Sequence, residues 1–266
     1  MIIIGEKING SIPSVAKAIE TRDEKLILDL ARSQTLAGAD YIDVCASVED
    51  GIELKTMKWL IDLVQSVSDL PIAIDSPNAR TCVECIPFCK RPGIINSVSG
   101  EGDKMDVVFP AIADTPWQVI ALLNGNKGIP KTAEDRMEVF GQVMEKAKSY
   151  GIGASRIHID PLVEMLCTSE DCISMIEEVM HRIRSAYPSV HITGAVSNIS
   201  FNLPARKLVN QAFVVLAMKA GMDSAVLDPL DKNLMGMIYA AEACLGIDEM
   251  CIGYISAYRK GLLGDR

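Results

Sequence analysis

Short apolar runs rich in Ile and Val alternate along this chain with longer stretches in which apolar residues recur at helical spacing. That alternation is the mark of βα units feeding a parallel sheet. The first run, Ile2-Ile3-Ile4, leads into Gly5-Glu6-Lys7-Ile8-Asn9, and a helical stretch follows from about Ser14 to Ala37. Tyr41-Ile42-Asp43-Val44 precedes a helix over about Leu54 to Val67. Pro71 to Ser76 and Gly93 to Ser97 are the third and fourth runs, and the segment from Met105 to Ala113 has no clear pattern. Val119 to Leu123 ends at Asn124 and precedes a long amphipathic helix over Ala133 to Ser149. Arg156 to Pro161 precedes a helix near Glu170 to Ala186. Val190 to Val196 leads to Ser197-Asn198, Ala225 to Leu227 leads to Asp228-Pro229, and a last helix fits Leu234 to Cys244.

Eight such units in 266 residues predict one α/β domain over residues 1–266, a single (β/α)8 TIM barrel, which typically takes about 250 residues. An open doubly wound sheet is the alternative. The first strand is not followed by the Gly-rich phosphate loop that a dinucleotide fold needs, and no linker divides the chain. The balance of 26 basic and 35 acidic residues, net −9, argues against nucleic acid or an anionic membrane as the main partner. No run approaches the length of a membrane span, and the chain opens directly as a strand rather than as a leader peptide. The eight cysteines in an ordinary core read as reduced thiols, so a cytoplasmic protein is expected.

The chemistry of such a barrel sits at the C-terminal ends of its strands. The residues there are Glu6 and Asn9, then Asp43, Asp75, Asn96, Asn124, Asp160, Asn198 and Asp228. Each is a carboxylate or a carboxamide. Any one of them could cap a helix or close a turn, but so many in register are harder to explain that way. Carboxylates accept hydrogen bonds and carboxamides both donate and accept. The ring therefore suits a heterocycle edge carrying N–H groups and a carbonyl, such as a pterin. A phosphorylated sugar would call for Lys, Arg or a Gly-rich nest. A divalent metal on Asp43, Asp75 and Asp160 is a competing reading, because these are hard oxygen ligands.

Gly5-Glu6-Lys7-Ile8-Asn9, Asp75-Ser76, Ile95-Asn96-Ser97, Asn124 with Gly128-Ile129-Pro130, Ile159-Asp160-Pro161 and Ser197-Asn198 occur in order at successive strand ends. In this the chain resembles the methyltetrahydrofolate:corrinoid protein methyltransferases, of the pterin-binding superfamily that includes dihydropteroate synthase. The resemblance implies that Asp75, Asn96 and Asp160 hold the pterin ring. It places Asn198 near N5, the methyl-bearing nitrogen, as the catalytic residue. Asp43, Asn124, Ser197 and Arg206 would lie nearby, with Arg206 toward the p-aminobenzoate, and Glu6 and Asn9 would complete the substrate site. Tetrahydrofolate would be the substrate, the corrinoid would be carried by a separate protein, the direction of transfer stays open, and a homodimer would be expected. Relatives more often carry Arg in place of Lys7, and Gly in place of Ala195 and Asn202. Dihydropteroate synthase itself fits less well, since none of the three histidines stands in a late Arg-x-His element. A metal-assisted aldolase or hydrolase and a non-catalytic pterin-binding scaffold remain the alternatives.

Cys82, Cys85 and Cys89 could suggest a metal or iron–sulfur site. Their spacing places them on one face of the expected third helix, where free cysteines pack as small hydrophobes. The methionines, among them Met175, Met180, Met218, Met235 and Met237, fit helix faces turned to the barrel. Trp59 and Trp117 read as core or interface anchors, and Met165-Leu166-Cys167 as a loop at the rim.

Overall fold

The computed structural model describes residues 1–168 and 171–264. Its strands are β1 (Ile2–Asn9), β2 (Tyr41–Cys45), β3 (Ile72–Asp75), β4 (Ile94–Gly100), β5 (Gln118–Gly125), β6 (Ile157–Asp160), β7 (His191–Ile192) and β8 (Ser224–Leu227). Among the described residues they form one eight-stranded sheet in the order β7-β6-β5-β4-β3-β2-β1-β8, with every pair parallel. The two ends meet through backbone bonds from Val226 N to Gly194 O (3.0 Å) and Asp223 N to Ile192 O (3.2 Å), which all but closes the barrel. The helices around it are α1 (Pro13–Thr21), α2 (Glu24–Leu36), α3 (Asp50–Val67), α4 (Ala79–Cys85), α5 (Lys104–Ile112), α6 (Ala133–Ser149), α7 (Cys172–Ala186), α8 (Arg206–Ala220), α9 (Lys232–Cys244) and α10 (Ile252–Arg259). None is long and apolar enough to cross a membrane, among the described residues.

The period of two along each strand sorts the side chains. Ile42 and Val44, Ile72 and Ile74, Val119, Ala121 and Leu123, and Ile157 and Ile159 face the helices and join the large outer core. Between them, Ile4, Ala73, Ile94 and Ile120 form a separate cluster inside the barrel, with Ile2, Tyr41 and Val226 against it. Two positions further along the same inner faces stand Glu6, Asp43, Asp75, Asn96, Leu122 and Asp160. The apolar cluster thus forms a plug beneath a polar mouth.

Several elements differ from the sequence reading. The helical stretch from Ser14 to Ala37 is two helices. Arg22 takes a left-handed conformation (φ 56°), and Asp23 restarts the helix by accepting from Leu26 N. The seventh strand is far shorter than Val190 to Val196. Pro161 offers no N–H to prolong the ladder with β6. Gly194 also lies so close to the loop after β6 that a Cβ there would meet Val163 Cγ2 at 2.7 Å, and Val196–Ser200 coil into a 3-10 turn. The unread segment before β5 is α5, whose pattern is obscured by Pro110. Helices α8 and α10 were not foreseen; α8 ends at Gly221, whose φ of 115° few other residues adopt. The start expected for α7, near Glu170, lies outside the described residues. Cys82 and Cys85 are buried in α4 as expected, but Pro87 follows the helix end, and Cys89 lies beyond it, only partly buried. Met180, Met218 and Met235 are buried, whereas Met237 is exposed. Trp117 is buried, and Trp59 packs beneath the Arg22 guanidinium at 4.5 Å.

Candidate active site

A cavity of about 590 Å3 opens at the C-terminal ends of the strands. That is within the range of ordinary small-molecule sites. The structure brings Glu6, Asn9, Asp43, Asp75, Asn96, Asp160, Ser197, Asn198 and Arg206 to its wall. It does not bring Asn124 or Asp228 there. Asn124 lies on β5 beyond the lining residue Leu122, beside Glu101, and Asp228 is turned to Lys7, which sits 2.9 Å away.

The wall made by β2, β3, β4 and β6 is a set of buried acceptors. Asn96 Nδ2 donates to Asp43 Oδ1 at 3.0 Å, which fixes the amide. Asp43 is fully buried, and its carboxyl is held well above the usual range by burial and then by the charge of Asp75. Burial likewise raises Asp75 to about 6, against a hydrogen bond from the Cys45 thiol that lowers it. Behind Asp75 lies another buried carboxylate, Glu53, which accepts from Ser76 Oγ and Thr81 Oγ1, each at 2.7 Å. Asp160 is raised to about 6 by burial, although Oδ1 accepts from Leu162 N at 2.8 Å. Its loop is held from behind by Arg136, the largest fully buried side chain. Arg136 donates to Leu162 O (3.0 Å) and Pro161 O and pairs with Glu164. Asp43, Asp75 and Asp160 line the cavity as acceptors that are already desolvated, ready for a ligand bearing N–H groups.

The opposite wall is built by β1, the 3-10 turn after β7, and the start of α8. An extra residue between Gly5 and Ile8 shifts the register of β1 against β2. Gln34 of α2 pins this bulge by accepting from Lys7 N at 3.0 Å. Glu6 is directed to the cavity and accepts from Ser197 Oγ at 3.2 Å. Burial, and then the charge of Asp228, raise Glu6 to about 7. Arg206 donates from Nη2 to Ser197 O at 2.7 Å and from Nε to Ser200 Oγ at 3.1 Å, and its guanidinium lies 5.3 Å from the Phe201 ring. Asn198 is exposed at the mouth, and its side-chain amide makes no hydrogen bond among the described residues. Asn9 holds the rim by accepting from Ser11 N at 2.9 Å.

Lys7 and Thr193 line the cavity without having been singled out in the sequence. Thr193 Oγ1 is buried with no partner, among the described residues. The period of two from His191 through Thr193 to Ala195 is the signal that could have found it. Glu53, Arg136 and Gln34 lie behind the wall on helices, where strand-end reasoning does not look. Among the described residues no group of three or more His, Cys, Asp or Glu side chains is arranged to hold a metal ion.

A family model described as pterin binding enzyme matches residues 5–228. The chain is 48% identical over 266 residues to the methylcorrinoid:tetrahydrofolate methyltransferase of Eubacterium limosum, covering 99% of this chain and 98% of that protein. It is 30% identical over 241 residues to the methionine synthase of Mycobacterium leprae, covering 85% of this chain and 20% of that much longer protein. Among solved structures, dihydropteroate synthase from Clostridium difficile superposes with a TM-score of 0.68 at 18% identity, over 92% of this chain and 96% of that one. The Yersinia pestis enzyme does so with a TM-score of 0.65 at 14% identity, over 92% and 93%. These two likenesses speak for the barrel alone.

Proposed function

This chain belongs to the pterin-binding enzymes, and on that premise we propose that it moves a methyl group between a corrinoid held on a separate protein and N5 of tetrahydrofolate. The observation that carries this reading is the contrast between the two walls of the cavity. One wall is an array of desolvated acceptors with a fixed amide, complementary to the N–H groups and carbonyl of a pterin edge. The other presents a free carboxamide, Asn198, at the open mouth. Near-complete alignment with a methylcorrinoid:tetrahydrofolate methyltransferase supports the same reading, and favours the methylcorrinoid as donor and the folate as acceptor.

In this mechanism Asp75, Asn96 and Asp160 orient the pterin, and Asp43 acts by holding Asn96. Asn198 hydrogen-bonds N5 and stabilises the charge that develops there as the methyl group moves, an electrostatic role. Fixing N5 in line with the incoming methyl group supplies the remainder. Ser197 and Arg206 shape the path of the p-aminobenzoate, and Asn9 its rim. The protein acts as one domain in the cytoplasm of an organism using corrinoids for one-carbon metabolism, expected to be an anaerobe, and pairs as a homodimer.

The test is methyl transfer from methylcobalamin, or from a methylated corrinoid protein, to tetrahydrofolate, followed by the absorbance change of the corrinoid. Loss of the methylcorrinoid with stoichiometric 5-methyltetrahydrofolate is expected. Calorimetry should show tetrahydrofolate binding without added Mg2+. Binding of the folate with no transfer from either donor would leave a scaffold and overturn the enzymatic reading. Binding of Mg2+ without folate would favour the metal-assisted alternative.

A further inference from the structure

When a methyl group reaches N5 of tetrahydrofolate, that nitrogen carries both the methyl group and a proton, and the proton must leave. The wall around Asn198 offers few groups to take it. Lys7 is tied to Asp228, which does not itself line the cavity. Arg206 has no proton to exchange at these pH values and is bound to Ser197 O and Ser200 Oγ. Lys207 is paired with Asp231 at 3.3 Å. Asp43, from β2, is fully buried and committed to Asn96. Glu6 differs from all of these. It lines the cavity, has no cation within 4.0 Å among the described residues, and has one side-chain hydrogen bond, from the hydroxyl of the residue next to Asn198.

We propose that Glu6 is the proton acceptor of the methyl transfer, reached from N5 through the hydroxyl of Ser197. This deepens the methyltransferase reading and rests on it. The N5 lone pair attacks the methyl carbon, and the cobalt–carbon bond breaks with its electron pair remaining on the corrinoid. The N5 proton passes to Ser197 Oγ as the hydroxyl proton passes to Glu6 Oε2. Glu6 ends protonated, N5 neutral and methylated, and the proton later leaves to solvent. In the reverse direction protonated Glu6 returns the proton to N5, whose amine is otherwise a poor leaving group. Burial and the Asp228 charge oppose the Ser197 bond, Lys7 and Arg206, and the balance leaves Glu6 near neutrality.

The experiment compares the pH dependence of turnover, from methylcobalamin to tetrahydrofolate, in the full chain and its Glu6→Gln and Glu6→Asp variants. Folate affinity is measured in parallel by calorimetry. The parent should show a rising limb centred near pH 7. Glu6→Gln should lose that limb and about 100-fold or more in turnover, with folate affinity within threefold of the parent, and Glu6→Asp should restore the limb. Ser197→Ala, which breaks the relay while keeping the Glu6 side chain, should also flatten the limb, and serves if Glu6→Gln does not fold. A limb retained in Glu6→Gln or in Ser197→Ala overturns the proposal, as does a loss in rate matched by an equal loss in folate affinity. Absence of transfer in the parent would instead overturn the function itself.

Discussion

His158 and Asp160 stand two residues apart on the inner face of β6, and they obey opposite rules. His158 is fully buried at the floor of the barrel with both ring nitrogens engaged. Nε2 lies 2.6 Å from Gln118 Oε1, which can only accept, and Nδ1 lies 3.0 Å from Ser224 Oγ. Gln118 Nε2 then donates to Tyr41 OH at 3.1 Å, and the ring of His191 stacks on His158 at 4.6 Å. Nothing in this chain of groups is left over, so the imidazole stays neutral, its pKa lowered to about 3 by burial. At the mouth, Asp160 is also buried, but it lines the cavity and accepts from the Leu162 backbone, and burial pushes it the other way, to about 6. A satisfied polar network fixes a fold. A buried carboxylate that lines a cavity keeps an acceptor within reach of a ligand, at some cost to stability.

The contrast can be broken at either end. The largest effect is expected from Asn198→Ala. Turnover should fall about 100- to 1000-fold, the usual loss on removing one group that stabilises transition-state charge. Folate binding should be weakened but detectable and the melting temperature unchanged. Unaltered turnover would remove Asn198 from the mechanism. His158→Leu should act on stability instead. It strands Gln118 Oε1 and the Ser224 hydroxyl in the barrel interior, at about 1–3 kcal/mol each, and leaves folate affinity as it was. A loss of affinity without a loss of melting temperature would show that floor and mouth are not separate.

Asp160→Asn should do the reverse, weakening folate binding by about 10- to 100-fold for a lost bond to a charged acceptor, with little fall in melting temperature. Its pH dependence sharpens the point. A carboxyl raised from 3.8 to about 6 binds its proton more tightly in the folded chain. The stability it confers is complete below about pH 3.8 and lost as the pH rises through 6. The melting temperature of Asp160→Asn relative to the parent should therefore climb between pH 4 and 6. For His158, lowered from 6.5 to about 3, stability is present above 6.5 and lost as the pH falls. The deficit of His158→Leu should shrink over the same descent. Equal slopes in the two variants would refute the assignment of opposite charge preferences.

Most of the barrel was readable because an inner strand face repeats every second residue, so Asp43, Asp75, Asn96 and Asp160 are found by counting from Tyr41, Ala73, Ile94 and His158. Helix α6 was legible to its ends because Thr132 caps it and its apolar stripe is unbroken. What the alternation hid has physical causes. Val190 to Val196 is rich enough in β-branched residues to read as a strand, but strand pairing needs a partner, and Pro161 removes it. Asn124 counts correctly from Ile120 and Leu122 yet lies outside the cavity lining, on a strand whose pairing with β4 slips between Asn96 and Val98 and again between Ser99 and Gly100. Asp228 looked like a ring member, but Lys7 lies within 2.9 Å of it, a contact across 221 positions that no local pattern encodes. Glu53, Arg136 and Gln34 act from helices through the back of the wall, at distances in sequence that only the fold collapses.

The brevity of β7 has a last consequence. Seven strand interfaces around the barrel carry ladders, and the eighth is closed by two backbone bonds and the bridge between Ala195 and Val226. The barrel therefore has a seam, and the turn bearing Ser197 and Asn198 hangs beside it. Amides at a seam exchange with solvent more readily than those in a full ladder. The wall bearing Ser197 and Asn198 is then the one able to breathe, while Asp43, Asp75, Asn96 and Asp160 stand on laddered strands. Firmness and give are divided between the two sides of one cavity.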